Sequence, residues 1–322
     1  MEPCCYREFR PDDLDGLVSA FSASAPADAV TRQTFSDNVL LDENFQPGGL
    51  LVAESGGIVV GAIYAVTALS DATPVPADGG WITFFFVHPA WRRRGIGGEL
   101  VARAVEWLAD RGSAWVNFSG YAPAYFLPGL DEALYPDAMR LLTNAGFDTQ
   151  YSPAAMDMNL AAYRTPDDVL ELRAIREAEG YTFGPSGYGD LPEAIAFAAE
   201  NLALDWGQVI RESVRKYGHP ERVLISRDAT GALVGLAMYG SYGGIVERFG
   251  PFGVDESKRG AGLGKILLHQ TLTQMRSEGA HSAWFLWTEE DGPAGRLYLQ
   301  AGFKVTRTFH VMQNVNIKGE GR

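Results

Sequence analysis

The feature that most limits how this chain can fold is a short pattern that it carries twice. V-H-P-A-W-R-R-R-G-I-G-G-E-L-V runs from Val87 to Val101, and V-D-E-S-K-R-G-A-G-L-G-K-I-L-L from Val254 to Leu268. Each copy is an apolar run, then a loop with the spacing R-x-x-G-x-G, then a segment of helical periodicity. Arg92, Gly95 and Gly97 stand against Arg259, Gly262 and Gly264 at a constant offset of 167 (259 less 92). Further on, Ala145-Gly146-Phe147 echoes Ala301-Gly302-Phe303 at an offset of 156 (302 less 146). The drop in offset assigns the surplus to the first half, in its Gly120–Pro136 loop. A duplication in 322 residues reads as two domains, 1–162 and 163–322, each mixed α/β. The boundary falls just before Pro166-Asp167-Asp168, a helix-starting signal.

The elements repeat in the same order. In the first half, Pro11-Asp12-Asp13 opens a helix bearing Leu14, Leu17 and Phe21. Leu50–Glu54 and Ile58–Ala65 flank a Gly turn as a hairpin, after mixed material over 25–48. A Pro-rich loop, Asp71–Gly80, leads to Trp81–Val87, a run apolar enough to be a strand covered on both faces. The helix after the Gly loop buries Val101, Ala104, Val105 and Leu108. A strand (114–118), a helix (137–144) stopped at Gly146 and a last strand (154–160) close the half. The second half, after helical and irregular material over 167–217, places strands at 222–226, 233–239 and 244–254. The Gly-loop helix follows, then a strand at 283–287, a helix at 292–300 and a terminal strand or hairpin at 304–314.

Composition removes several classes. With 27 basic and 40 acidic residues the net charge is −13, and the densest basic run is Arg92–Arg94, so no nucleic-acid stripe is expected. No apolar run approaches the roughly 20 residues of a bilayer span, and the first residues lack the basic-then-apolar layout of a signal peptide. The two cysteines, Cys4 and Cys5, are adjacent, which suits a reducing cytoplasm and gives no metal cluster.

A strand running into R-x-x-G-x-G at a helix start builds an anion site. Glycines let backbone N–H groups approach an oxygen, and the helix terminus adds about half a positive charge. A diphosphate is the natural guest. The pattern lacks the G-K-[ST] of a P-loop and fits the dinucleotide fingerprint poorly.

V-x-x-x-x-R-x-x-G-x-G followed by a downstream A-G-F resembles the GNAT superfamily of N-acetyltransferases, over essentially the whole chain and in two tandem copies. The resemblance implies two GNAT folds in tandem, mixed α/β of α+β character, each with a central mixed, mostly antiparallel sheet flanked by helices. It also implies acetyl-CoA as the cofactor. Phe252, Gly253, Val254, Arg259, Gly260, Ala261, Gly262, Leu263, Gly264 and Lys265 would line one CoA site. Phe86, Val87, Arg92, Arg93, Arg94, Gly95, Ile96, Gly97 and Gly98 would line the other. The expected partner is a small-molecule or peptide amine, with the protein a cytoplasmic monomer or homodimer, bound to neither nucleic acid nor membrane, and with no metal.

The resemblance also separates the halves. In the family a tyrosine on the helix before A-G-F often protonates the leaving thiolate. Tyr298 stands there in the second half and Leu142 in the first. Glu247 is expected on the pre-loop strand of the second half as the base, its apolar neighbours raising its pKa. The first half's strand, Trp81–Val87, has no carboxylate. The C-terminal half is therefore expected to catalyse direct transfer, without an acyl-enzyme. A non-catalytic acyl-CoA-binding protein and catalysis in the N-terminal half are the alternatives. The aromatic loop around Tyr121–Gly129 either caps the first half's acceptor cleft or packs between domains. His88 reads as a loop residue, and Trp284 and Trp287 as core.

Overall fold

The apolar runs become strands, and the helical periodicities become helices on their faces. The computed structural model describes residues 3–69 and 75–317, so the Asp71–Gly80 loop lies partly outside the described residues. The chain forms two compact units: Met1–Pro153 with Thr308–Arg322, and Ala154–Arg307.

In the first unit the order is β1 (Cys5–Glu8), α1 (Leu14–Ser24), α2 (Arg32–Phe35), β2 (Leu50–Ser55), β3 (Ile58–Val66), β4 (Gly79–Val87), α3 (Ile96–Asp110), β5 (Trp115–Phe118), α4 (Pro136–Asn144) and β6 (Asp148–Tyr151). They form one seven-stranded sheet, β1-β2-β3-β4-β5-β14-β6, where β14 is Val311–Asn314 from the chain's end. All pairings are antiparallel except β4 with β5. One face packs Leu17, Phe21, Phe84 and Phe86 under α1. The other packs Ile82, Ile96, Leu100 and Leu142 under α3 and α4. Central β4 is buried from both sides, which is why its sequence is apolar almost throughout.

The second unit runs β7 (Ala154–Asn159), α5 (Asp167–Ala178), β8 (Thr182–Pro185), α6 (Leu191–Phe197), α7 (Leu204–Tyr217), β9 (Val223–Arg227), β10 (Leu233–Tyr239), β11 (Phe249–Val254), α8 (Leu263–Ser277), β12 (Ser282–Thr288), α9 (Pro293–Ala301) and β13 (Lys304–Thr308). Its strands form two sheets, β11-β10-β9-β8 and β12-β7-β13.

Two strands therefore cross the sequence boundary near residue 162. β7, read as the last strand of the first half, pairs with β12 (Phe285 opposite Met156). β14 pairs with β5 (Gln313 opposite Asn117). Period-2 apolar patterning fixes which face a strand buries but not which strand it joins, so a contiguous 1–162 and 163–322 division does not describe the contacts.

Candidate active site

The site begins where two parallel strands part. In the first unit Phe84 faces Tyr64 and Ile82 faces Ala65, leaving Thr83 as an extra residue on β4. β4 then pairs with β5 only over Gly79–Ile82, and the last rung is the Ser119 N–H to the Ile82 carbonyl at 2.9 Å. Past this bulge the strands diverge, because an extra residue bends its strand and locally ends the ladder. The second unit repeats the arrangement. Ala237 faces Phe252 and Tyr239 faces Phe249, so Gly250-Pro251 oppose one residue, and the only bridge to β12 is Arg248 opposite Trp284 among the described residues. The register is that of the sequence repeat, with Thr83 matching Gly250 at the offset of 167.

Beyond each gap lies the Gly loop. Its conformation is the same twice: residues 93 and 260 are left-handed (Arg93 φ 62°, Gly260 φ 86°), and so are 95 and 262 (Gly95 φ 82°, Gly262 φ 79°). A left-handed residue before a helix turns successive N–H groups to one side and makes an anion-binding concavity. Gly95 and Gly262 directly precede α3 and α8. The N–H groups of Ile96, Gly97 and Gly98, and of Leu263, Gly264 and Lys265, are the first in each helix and have no intrahelical acceptor. His88 Nδ1 and Asp255 Oδ1 cap the same short turn in the two copies, accepting from Ala90 N–H (3.3 Å) and Ser257 N–H (2.7 Å). His88 is thus a loop brace.

The arginines also brace the loop itself. Arg92, expected beside the diphosphate, donates to the carbonyls of Val87 (3.0 Å) and Ser24 (2.9 Å), tying the loop to the end of β4 and to α1. Arg94 donates to Ala90 O and lies over Trp91. Arg93 is largely exposed, lies 3.8 Å from Asp137, and with it lines the first unit's cavity. In the second unit Arg259 pairs with Glu256, and Lys265 reaches Asp168 on α5 at 2.5 Å. Leu172, also on α5, packs against Gly262: a Cβ there would stand 2.7 Å from Leu172 Cδ2.

A cavity of about 970 Å³ opens in the first unit. Gly95–Gly98, Phe85, Val87 and Leu141 line it on the α3 side; Phe21, Ala25, Phe84, Phe86 and Phe126 line it on the α1 side; Thr83, Phe118 and Ser119 sit at the gap between. The Gly120–Pro136 loop contributes Phe126 and Leu127 to its wall, so within this unit the loop covers the cleft. Thr83 is only 5% exposed, and among the described residues its hydroxyl has no hydrogen-bond partner. Tyr135 donates to Asp28 at the rim.

The residues expected to do chemistry take different places. Tyr298 is 6% exposed, ringed by Phe249, Phe252, Phe285 and Phe303 with ring centroids 4.5–5.9 Å away. Burial pushes its phenol well above the usual range, so it stays protonated. Phe252 and Phe285 belong to the two diverging strands, which places Tyr298 against the gap. Leu142 is fully buried in the first unit's core. Glu247 does not lie on the strand: β11 starts at Phe249, and 244–248 is a turn entered through Gly243 and Gly244, both left-handed. Its carbonyl accepts the Trp284 N–H at 2.9 Å, and its side chain is half-buried. Trp284 packs against the Arg248 guanidinium, 4.6 Å from its centroid, rather than serving only as core.

Sequence reasoning missed Thr83 and the aromatic wall. The signal was present: extending the repeat upstream aligns Thr83 with Gly250, a side chain against none. Among the described residues no helix is long and apolar enough to cross a membrane, and no group of acidic, His or Cys side chains is placed to hold a metal.

Comparison with known proteins agrees with this geometry. The family model described as "Acetyltransferase (GNAT) family" matches residues 15–119 and 193–303. The mycothiol acetyltransferase of Clavibacter michiganensis subsp. michiganensis is 26% identical over 300 residues, covering 91% of this chain and 89% of that one. Among solved structures, a GCN5-related glucosamine N-acetyltransferase region of a fungal multi-domain GH3 beta-N-acetylglucosaminidase superposes with a TM-score of 0.82 at 17% identity. It covers 97% of this chain, which spans 38% of that much longer one. A tandem GNAT protein from the clavulanic acid biosynthesis pathway gives 0.61 at 19% identity, covering 97% and 98%. The chain belongs to the acetyltransferase (GNAT) family, as two GNAT folds in tandem, and is an N-acetyltransferase.

Proposed function

We propose that the protein transfers an acetyl group from acetyl-CoA to the amino group of a small molecule, that both Gly loops hold CoA, and that the second unit performs the transfer. The carrying observation is Tyr298 against the β11–β12 gap, where the first unit has Leu142. The residues present fit the cofactor: each loop offers helix-start N–H groups to a diphosphate, and in each unit two parallel strands part beside the loop. Bound there, acetyl-CoA would supply an activated thioester.

The chain's own residues do the rest. The free β12-side edge of β11, near Phe252 and Val254, offers N–H groups to a carbonyl oxygen gaining charge. Tyr298 keeps its proton because it is buried, and gives it to the departing sulfur. Glu247, half-buried before β11, takes the proton from the acceptor amine. Likeness to mycothiol acetyltransferases supports a small amine over a peptide. The protein acts in the cytoplasm. CoA release measured against a panel of small amines tests this reading; no release with any of them would return it to a binding protein.

A further inference from the structure

We propose that the first unit's cavity binds CoA thioesters whose acyl group is longer than acetyl, with the acyl chain held in the aromatic compartment on the α1 side of the strand gap. This rests on the reading that the first Gly loop holds CoA. Three observations carry it.

The cavity is continuous from the loop, through the gap, to the far face of the sheet. A thioester anchored by its diphosphate at Gly95–Gly98 and threaded between β4 and β5 delivers its acyl group at the gap, beside Thr83. That hydroxyl, buried and without a partner among the described residues, is a donor left for a ligand carbonyl, since a buried polar group is normally paired.

Past Thr83 the wall is built of rings. Phe21 lies 5.3 Å from each of Phe84, Phe86 and Phe126, so the four make one apolar surface. An acetyl group would leave that surface against water; a longer chain covers it. Because Leu142 gives this unit no acid at the family position, the space has no need to admit an acceptor.

The second unit is built differently at this point. Gly253 stands where Phe86 does, and Leu202 fills its face: a Cβ on Gly253 would be 2.6 Å from Leu202 Cδ2. Two CoA sites on one chain thus differ in acyl length, the second taking acetyl and the first reading a longer thioester.

The test is calorimetric titration of the full chain carrying Gly264→Glu, which closes the second loop, with CoA, acetyl-CoA, butanoyl-CoA and hexanoyl-CoA. Each buried methylene is worth roughly fourfold in affinity, so hexanoyl-CoA should bind at least about tenfold tighter than acetyl-CoA, with butanoyl-CoA between. Ala25→Phe, which fills the compartment from the end of α1, should remove that gain and leave acetyl-CoA binding intact. If CoA itself does not bind, the CoA reading of the first loop falls and this inference with it. If CoA and acetyl-CoA bind but chain length brings no gain, only the inference falls. A gain that survives Ala25→Phe in folded protein also overturns it, by placing the chain elsewhere.

Discussion

Replacing Tyr298 by Phe separates chemistry from packing at a single atom. The Tyr298 ring contributes to a core of five aromatic rings, and Phe keeps every one of those contacts. Among the described residues the hydroxyl makes no hydrogen bond, so its loss leaves no stranded partner. The stability change should stay within about 1 kcal/mol in either direction. Removing a general acid, by contrast, costs typically about 10²–10⁴ in rate, or roughly 3–5 kcal/mol of barrier. The assay is CoA thiol release under saturating acetyl-CoA and amine, with a thermal melt on the same preparation. The predicted result is a kcat lowered at least a hundredfold at unchanged melting temperature and unchanged acetyl-CoA affinity. Unchanged kcat would remove Tyr298 from the reaction. A fall in kcat that tracks a fall in melting temperature would make the residue structural.

Other outcomes follow from individual contacts. Thr83→Val deletes an unpaired buried hydroxyl; melting should hold or rise slightly, while the first site's affinity for acetyl-CoA falls about fivefold, read by titration of the Gly264→Glu protein. Gly262→Ala should destabilise more than Gly95→Ala: both residues are left-handed, at about 1–2 kcal/mol each, but only Gly262 also meets Leu172. His269 is buried and accepts from or donates to Tyr163 at 2.6 Å, and burial lowers its pKa to about 4. The unfolded chain therefore binds the proton first, and stability falls as pH drops from about 6.5 towards 4, by up to about 3 kcal/mol. His269→Gln should flatten that slope in urea unfolding across the window. Arg7 holds the Asp13 carboxyl below the usual range through contacts of 2.6 and 2.8 Å, so this contribution is complete above about pH 4 and lost below it. Asp13→Asn should remove the acid-side loss while lowering stability at neutral pH.

The repeat was legible because its constraints are local. Left-handed glycines, a helix start and an apolar pre-loop strand leave fixed marks at fixed spacing, and the two loops share their left-handed positions, 93 with 260 and 95 with 262. What the sequence concealed was long-range. β7 and β14 read as ordinary terminal strands, and nothing in their alternation says that each joins a sheet built from the other half of the sequence. The run 244–254 is continuous in sequence and would carry Glu247 on the strand; two left-handed glycines delay the strand to Phe249. Arg92 matched the motif, but its bonds to the Val87 and Ser24 carbonyls depend on α1, which the motif does not contain. The aromatic wall was visible as residues but not as a surface, since Phe21, Phe84 and Phe126 come from three separated segments.

The central claim is that two CoA sites exist and only the second turns over. Counting acetyl-CoA sites and measuring turnover in the wild type, Gly98→Glu and Gly264→Glu tests it directly. Both positions accept a side chain: nothing lies within 4 Å of a Cβ at Gly98, and the nearest atom to one at Gly264 is Phe252 Cζ at 3.5 Å. A carboxylate in the first helical turn suits the helix and repels a diphosphate. The account predicts two sites in the wild type and one in each variant, with transfer retained in Gly98→Glu and lost in Gly264→Glu. Transfer lost in Gly98→Glu and retained in Gly264→Glu would contradict it.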